Sequence, residues 1–320
     1  MKKFSQIFHH CLIIGVWLLV ITLRPPVAFA TSGLSIDPPV TEILLAPTHP
    51  MSTRLTLSNP GDTPAAFTVA LHEVEPSDSQ GHVKVRPEPI SPGALPLTYS
   101  LSPRGENGQY TLAPGASLPL TLSLEAATGT EPTDLYLALV ATTIAPSAPR
   151  TTTETTTTAG LAGLIFISVT DGSVVPLSLE VKDFPTPALH DPWLPLAFAP
   201  TLVNESPTMI HIAGELQITN ARGQVVSTTS LYPDLILSGA TRTLAGGRGT
   251  PLAHLPLSWQ PAPLSFGPHT IHLKITTQGG TTILESEKIV WLFPIRVMIL
   301  IALILLSGTT TLLLIHRHQG

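Results

Sequence analysis

Residues 117–124 read SLPLTLSL and place leucine at every second position: Leu118, Leu120, Leu122 and Leu124. Successive side chains of an extended chain point to opposite faces, so this stretch has one apolar face and one polar face. A helix would scatter the same leucines around its axis. The pattern recurs with Leu55 and Leu57, with Phe67, Val69 and Leu71, and with Leu135, Leu137 and Leu139. In the second half it returns with Leu216 and Ile218, then with Ile271, Leu273 and Ile275. No stretch between the two ends repeats apolar residues at the i, i+3, i+4, i+7 spacing of an amphipathic helix. Turn sequences separate the strands: NPGD at 59–62, APGA at 113–116, NARG at 220–223 and QGG at 278–280. Proline and glycine set the backbone angles that such turns need. The expectation is an all-β chain of two tandem Ig-like antiparallel β-sandwiches.

Composition supports that reading. Charged residues make up 12% of the chain, and there are 33 prolines. Threonine and serine therefore supply much of the solvent-facing side of the strands.

The two halves share an outline. Each opens with an extended, proline-flanked strand, GLSIDPPVTEILL in one and VVPLSLEVKDFP in the other. Each continues to a strand ending in asparagine at a turn, Asn59 in RLTLSNPGDTP and Asn204 in PTLVNESP. The short amide side chain can close such a turn on its own backbone, which is the role expected of both residues. The first sandwich is placed at residues 31–172 and the second at 173–293. A threonine-rich segment, residues 150–160 (RTTTETTTTAG), has the composition of a linker. The near-continuous apolar run DLYLALVATT before it needs a neighbour, however, and LAGLIFISV after it supplies one. The segment is thus expected to be a hairpin loop of the first sandwich.

Both ends of the chain differ from the middle. Residues 1–30 begin with Lys2 and Lys3, run apolar from Cys11 to Leu23, and end VAFA. Small residues Ala28 and Ala30 have signal-peptidase spacing, so cleavage is expected after Ala30. Residues 297–315 carry no charge. As a helix they would extend roughly 28 Å, close to a bilayer core. They are expected to form a single transmembrane helix, with the sandwiches outside the cell and residues 316–320 as a cytoplasmic tail. Trp291 and Phe293 sit where an aromatic belt would lie.

Charge and motifs exclude several functions. Residues 31–295 hold all 21 acidic residues against eleven basic ones, the wrong sign for gripping nucleic acid. Removal of the signal peptide would remove the chain's one cysteine. No G-x-S-x-G nucleophile motif is present, and AGGRG at 245–249 lacks the Lys-Ser/Thr ending of a phosphate-binding loop. His269 and His272 lie three apart in a strand and so on opposite faces. His211, between Ile210 and Ile212, is expected to face solvent. Glu73, Glu75 and Asp78 lack the spacing of a calcium loop and read as a solvated cluster. No catalytic, cofactor-binding or metal-binding residue is expected, and the chain is read as a non-enzyme.

With the asparagine turns and the terminal helix placed, the chain resembles the WxL-interacting proteins of Gram-positive bacteria. SIDPPVTEILLAP, RLTLSNPGDTP and LIFISVTDG carry the likeness in the first half; TLVNESPTMIHIAGELQITNARGQVV and SFGPHTIHLKITTQGG carry it in the second. The resemblance implies a peptidoglycan-binding β-domain, a second Ig-like domain that binds a partner protein, and one C-terminal membrane helix. It transfers no ligand-binding residue. The expected function is that of a non-catalytic, membrane-anchored bacterial surface protein. Its partners would be cell-wall polymer, other surface proteins, or both. Two alternatives stand beside it: a membrane-tethered assembly factor similar to pilus chaperones, and a structural subunit of an envelope complex. A chaperone would need an exposed apolar edge strand and, by analogy with pilus chaperones, a basic anchor in its cleft for a partner's terminus. Arg54 is the one candidate anchor, and the alternation places it on an outward face.

Overall fold

The computed structural model describes residues 33–91, 93–106, 108–144, 160–173, 175–246 and 256–319. Ala28, Ala30 and almost all of the threonine-rich segment, up to residue 159, lie outside the described residues. Ten strands form the first sandwich. They are β1 (Ser35–Asp37), β2 (Val40–Leu45), β3 (Met51–Ser58), β4 (Ala65–Pro76) and β5 (Val83–Pro89), then β6 (Leu97–Ser102), β7 (Gln109–Leu112), β8 (Ser117–Ala126), β9 (Thr133–Thr143) and β10 (Gly160–Val169). One sheet has the order β1-β3-β8-β6; the other has the order β2-β10-β9-β4-β5, with β7 also paired to β4.

The leucine alternation fills the space between these sheets. Leu55, Leu57, Leu120 and Leu122 from the first sheet meet Phe67, Leu137, Leu139, Ile165 and Ile167 from the second, all fully buried. Each such side chain contributes about 1.5–3 kcal/mol on leaving water. Phe67 also stacks on Tyr110, with ring centroids 5.6 Å apart.

β9 and β10 are antiparallel neighbours, with Tyr136 opposite Phe166 and Leu139 opposite Gly163. The opening segment holds two strands. It breaks at Asp37-Pro38-Pro39: β1 pairs with β3 in the first sheet, and β2 pairs in parallel with β10 in the second. Neither proline has an N–H for a ladder, so the chain can leave one sheet here and enter the other. β7 is a further strand, too short to show a periodicity of its own.

Eleven strands form the second sandwich. They are β11 (Leu179–Asp183), β12 (Leu189–His190), β13 (Leu196–Phe198), β14 (Thr201–Asn204), β15 (Ile210–Asn220) and β16 (Val225–Ser230), then β17 (Asp234–Ile236), β18 (Thr241–Thr243), β19 (Leu257–Trp259), β20 (Gly267–Thr277) and β21 (Thr282–Leu292). Its main sheet runs β12-β21-β20-β15-β16, with β17 beside β15. Facing it are β11-β14-β18 and the pair β13-β19. The core is built from Leu202, Leu216, Ile218, Ile271, Leu273, Ile275 and their neighbours.

Two buried asparagines hold the sandwiches in the same way. The Asn59 amide donates to the carbonyls of Thr63, Leu112 and Ala113, at 2.8, 3.1 and 3.3 Å, and its Oδ1 accepts the Gly61 N–H. The Asn204 amide donates to Thr208, Ile236 and Leu237, at 2.9, 3.0 and 3.2 Å, and its Oδ1 accepts the Ser206 N–H. Each thus closes its own turn and pins a second turn from across the sandwich.

The last element is a helix, α1 (Ile295–Gln319), 25 residues long. Among the described residues no helix is long and apolar enough to cross a membrane. Side chains 312–315, part of the expected 297–315 span, lie outside the described set.

Candidate partner-binding edge and interdomain cleft

The break at Pro38-Pro39 shapes the first sandwich's outer edges. β2 covers β10 only from Leu164 to Val169, leaving Gly160–Gly163 paired on one side alone, to β9. The Leu164 N–H donates to the Pro39 carbonyl at 2.9 Å. Backbone groups alternate sides along a strand, so the N–H and C=O of Ala162 point the same way, beyond the end of β2. No described strand lies there. In the other sheet, β1 pairs only with Thr56–Ser58 of β3, and Met51–Leu55 has no described strand on its outer side. Gly163 lets the sheets close at this point: a Cβ there would come within 2.6 Å of Ile36 Cδ1. Thr41, on β2 opposite Ile165, has a buried hydroxyl oxygen with no hydrogen-bond partner among the described residues. An unpaired strand edge is a ready template for another extended chain.

The second sandwich docks on the outer face of the β10-β9 pair. Phe166 belongs to the second sandwich's core cluster although it lies in the first, and Val83, Tyr136 and Leu164 pack against that cluster. Tyr136 meets Phe166 edge to face, centroids 5.7 Å apart. Polar groups lock the contact. Asp134 accepts the Met209 N–H and the hydroxyls of Ser168 and Tyr136, while the Tyr136 oxygen accepts the Ser238 N–H at 2.8 Å. Burial holds the Tyr136 hydroxyl well above the ordinary tyrosine value, and the nearby Asp134 charge adds to the rise.

Beside the contact lies a polar cavity of about 310 Å³ lined by Glu42, His211, Tyr232, Asp234, Arg242 and Gln278 among others. His211 Nε2 sits 2.9 Å from Glu42 Oε2, so this partly exposed histidine reaches the other sandwich from a solvent-accessible position. Isolated strand alternation cannot show this, because the second surface belongs to the other sandwich. Arg242 is committed to Asp234 through two hydrogen bonds, with both side chains largely buried. Arg54 is exposed on the first sheet, whereas the cleft lies over the outer face of the second. Neither arginine therefore offers a free cation inside the cleft.

The remaining sequence candidates are satisfied locally. Arg86 lies 2.9 Å from Glu73 and 3.4 Å from Glu75. Asp78 accepts the Gln80 and His82 N–H groups and pairs with the His82 ring at 2.7 Å, which lowers its pKa. His269 is buried against Trp259, while His272 pairs with Glu287 on the other face. Among the described residues no group of three or more His, Cys, Asp or Glu is placed to hold a metal.

Similar solved structures include fimbrial chaperones and their complexes. A chaperone–tip adhesin complex of CFA/I fimbriae is similar at 12% identity and TM-score 0.42, over 80% of this chain and 98% of that one. The class 5 fimbrial chaperone CfaA gives 12% and 0.40 over the same shares. The CsuC–CsuE chaperone–tip adhesion subunit complex of Acinetobacter baumannii gives 10% and 0.37, over 81% of this chain and 99% of that one. At such values function rests on this chain's own residues. No protein-family model matches the chain, and no curated protein matches it.

Proposed function

We propose that this chain is a non-catalytic, membrane-tethered assembly factor that binds an extended segment of another exported surface protein. One observation carries the reading: the outward backbone groups of Gly160–Gly163 have no described strand beside them. An added strand would gain main-chain hydrogen bonds from Ala162 and apolar contacts from alternate side chains, the strand-addition mode of peptide recognition. The reading rests on this edge alone. Among the described residues neither Arg54 nor Arg242 is a free cation in the cleft, so on this reading a partner is held by its backbone and apolar side chains rather than by a terminal carboxylate.

Tethering rests on α1. Its described apolar side chains from Met298 to Leu306 are mostly exposed, and the sequence stays uncharged through Ile315. On this reading the sandwiches lie outside the cell and residues 316–320 lie within.

A photo-crosslinking amino acid at position 162 of the full chain, expressed in its own cells, tests the edge. The expected outcome is an adduct with an exported surface subunit that is lost when A162P is combined with a crosslinker at the neighbouring Leu161. Proline removes the outward N–H without breaking a bond to β9, so folding is retained. Adducts unaffected by A162P would sink the strand-addition reading. Retention on purified peptidoglycan without any protein adduct would instead favour wall-polymer binding.

A further inference from the structure

The base of the second sandwich carries an apolar collar around the start of α1. Asp191, buried despite its charge, organises it. Its Oδ1 accepts the Trp193 N–H at 3.1 Å, and its Oδ2 accepts the Arg296 N–H at 3.3 Å, with Arg296 Nε 3.7 Å away. The Phe293 N–H donates to the His190 carbonyl. A second turn reaches the same place: Gln260 Nε2 donates to the Pro192 carbonyl at 3.0 Å, and the Phe266 and Phe293 rings lie 5.7 Å apart. Two turns distant in sequence therefore meet where the helix leaves.

What these turns present is unlike the rest of the surface. Trp193 is 50% exposed, Leu264 74%, Phe266 65% and Trp291 52%. Residues 256–268 hold no charged side chain, and the charge of Asp191 is matched by Arg296. Exposed aromatic and aliphatic residues grouped in this way mark a contact surface. Tryptophan favours the boundary between headgroups and acyl chains, where its ring is apolar and its N–H stays wet.

We infer that this collar is a lipid-contact surface that seats the second sandwich directly on the bilayer, with Trp193, Leu264 and Phe266 at the headgroup–acyl boundary. The inference rests on the tethered reading of α1. Continuity selects the occupant: the collar rings the first turn of an apolar helix, two residues beyond Phe293. A seated domain would hold the first sandwich and its open edge at a fixed height and orientation above the membrane.

The test uses the full chain reconstituted into phosphatidylcholine vesicles, unbrominated or brominated near the top of the acyl chains. Bromine quenches tryptophan on contact. The expected result is that the full chain floats with vesicles and its emission falls in the brominated set, with W193F losing part of that quenching. F266E should float equally well yet lose the Trp193-dependent quenching, because a carboxylate in the collar opposes seating while α1 is intact. Flotation with no Trp193-dependent quenching would overturn the seat and leave the tether standing. Failure to float would overturn the tether and the seat together.

Discussion

Gly81 of the first sandwich lies beneath the guanidinium of Arg242 in the second. A Cβ added at Gly81 would fall 0.9 Å from Arg242 Nη1, and Gly81 has a φ of +89°. The β4–β5 turn reaches across the boundary here, with the Ser79 carbonyl accepting the Thr243 N–H at 2.7 Å. G81A should therefore act on docking rather than on either core. Backbone strain at such a φ costs on the order of 1–3 kcal/mol, and the arginine must also leave Asp234. The expected outcome is faster amide hydrogen exchange at Ser238 and Thr243, with Leu122 and Ile271 still protected. Unchanged exchange at Ser238 would show that the interface does not depend on this approach.

Tyr136 gives the same interface a pH dependence. Its hydroxyl titrates above the ordinary value of 10 in the folded chain, chiefly because it is buried. The unfolded chain then releases this proton first as pH rises. Its contribution to stability is fully present below about pH 10 and falls above it. Urea unfolding of the wild type should show a midpoint that declines above pH 10. Y136F leaves the Ser238 N–H without its acceptor, so it should lose about 1–2 kcal/mol at neutral pH. It should also show a shallower decline above pH 10. Parallel curves for the two proteins would mean that the hydroxyl is not buried in solution.

Asn59 and Asn204 are the clearest case of structure legible in sequence. Both end a strand before a proline-containing turn, and both close that turn as asparagine chemistry predicts. The far half of each knot was less visible. Asn59 also binds the Leu112 and Ala113 carbonyls, and Asn204 the Ile236 and Leu237 carbonyls, at turns where Gly115 and Gly239 take φ values of 70° and 69°. The paired signals were PGA at 114–116 and SGA at 238–240, which become a repeat only when aligned on the asparagines. N59A and N204A should each cost roughly 2–3 kcal/mol in their own sandwich, because buried carbonyls and an N–H lose their partners. Two separately resolved thermal transitions, each shifted by one variant alone, would check this. A loss well under 1 kcal/mol would mean that water replaces the amide.

Other features were hidden because they are tertiary. Alternation identifies the faces of β1 and β2 but not the sheet each joins. Pro38 was the available signal, since it forbids a ladder bond at that point. The near-continuous apolar character of DLYLALVATT points to a mid-sheet position buried on both sides. β9 and β10 are indeed internal strands, but the outer face is covered by the second sandwich. The open edge at Ala162 leaves no side-chain signature, because a paired and an unpaired strand carry the same alternation.

Thr41 offers a test of the β2–β10 ladder beside Ala162. Its Oγ1 is buried without a hydrogen-bond partner among the described residues, while its backbone lies in the parallel ladder opposite Ile165. A buried hydroxyl in that state costs on the order of 1 kcal/mol or more relative to an apolar group. Valine keeps the β-branched shape that suits a strand and replaces the hydroxyl with a methyl group. T41V is thus expected to raise stability by about 1 kcal/mol, read as a higher denaturant midpoint with an unchanged slope. It leaves the Ala162 backbone untouched, so crosslinking from that position should persist. A lower midpoint would show that the hydroxyl is bonded in the free protein. Loss of the adduct at unchanged stability would show instead that the partner's added strand supplies the missing hydrogen bond.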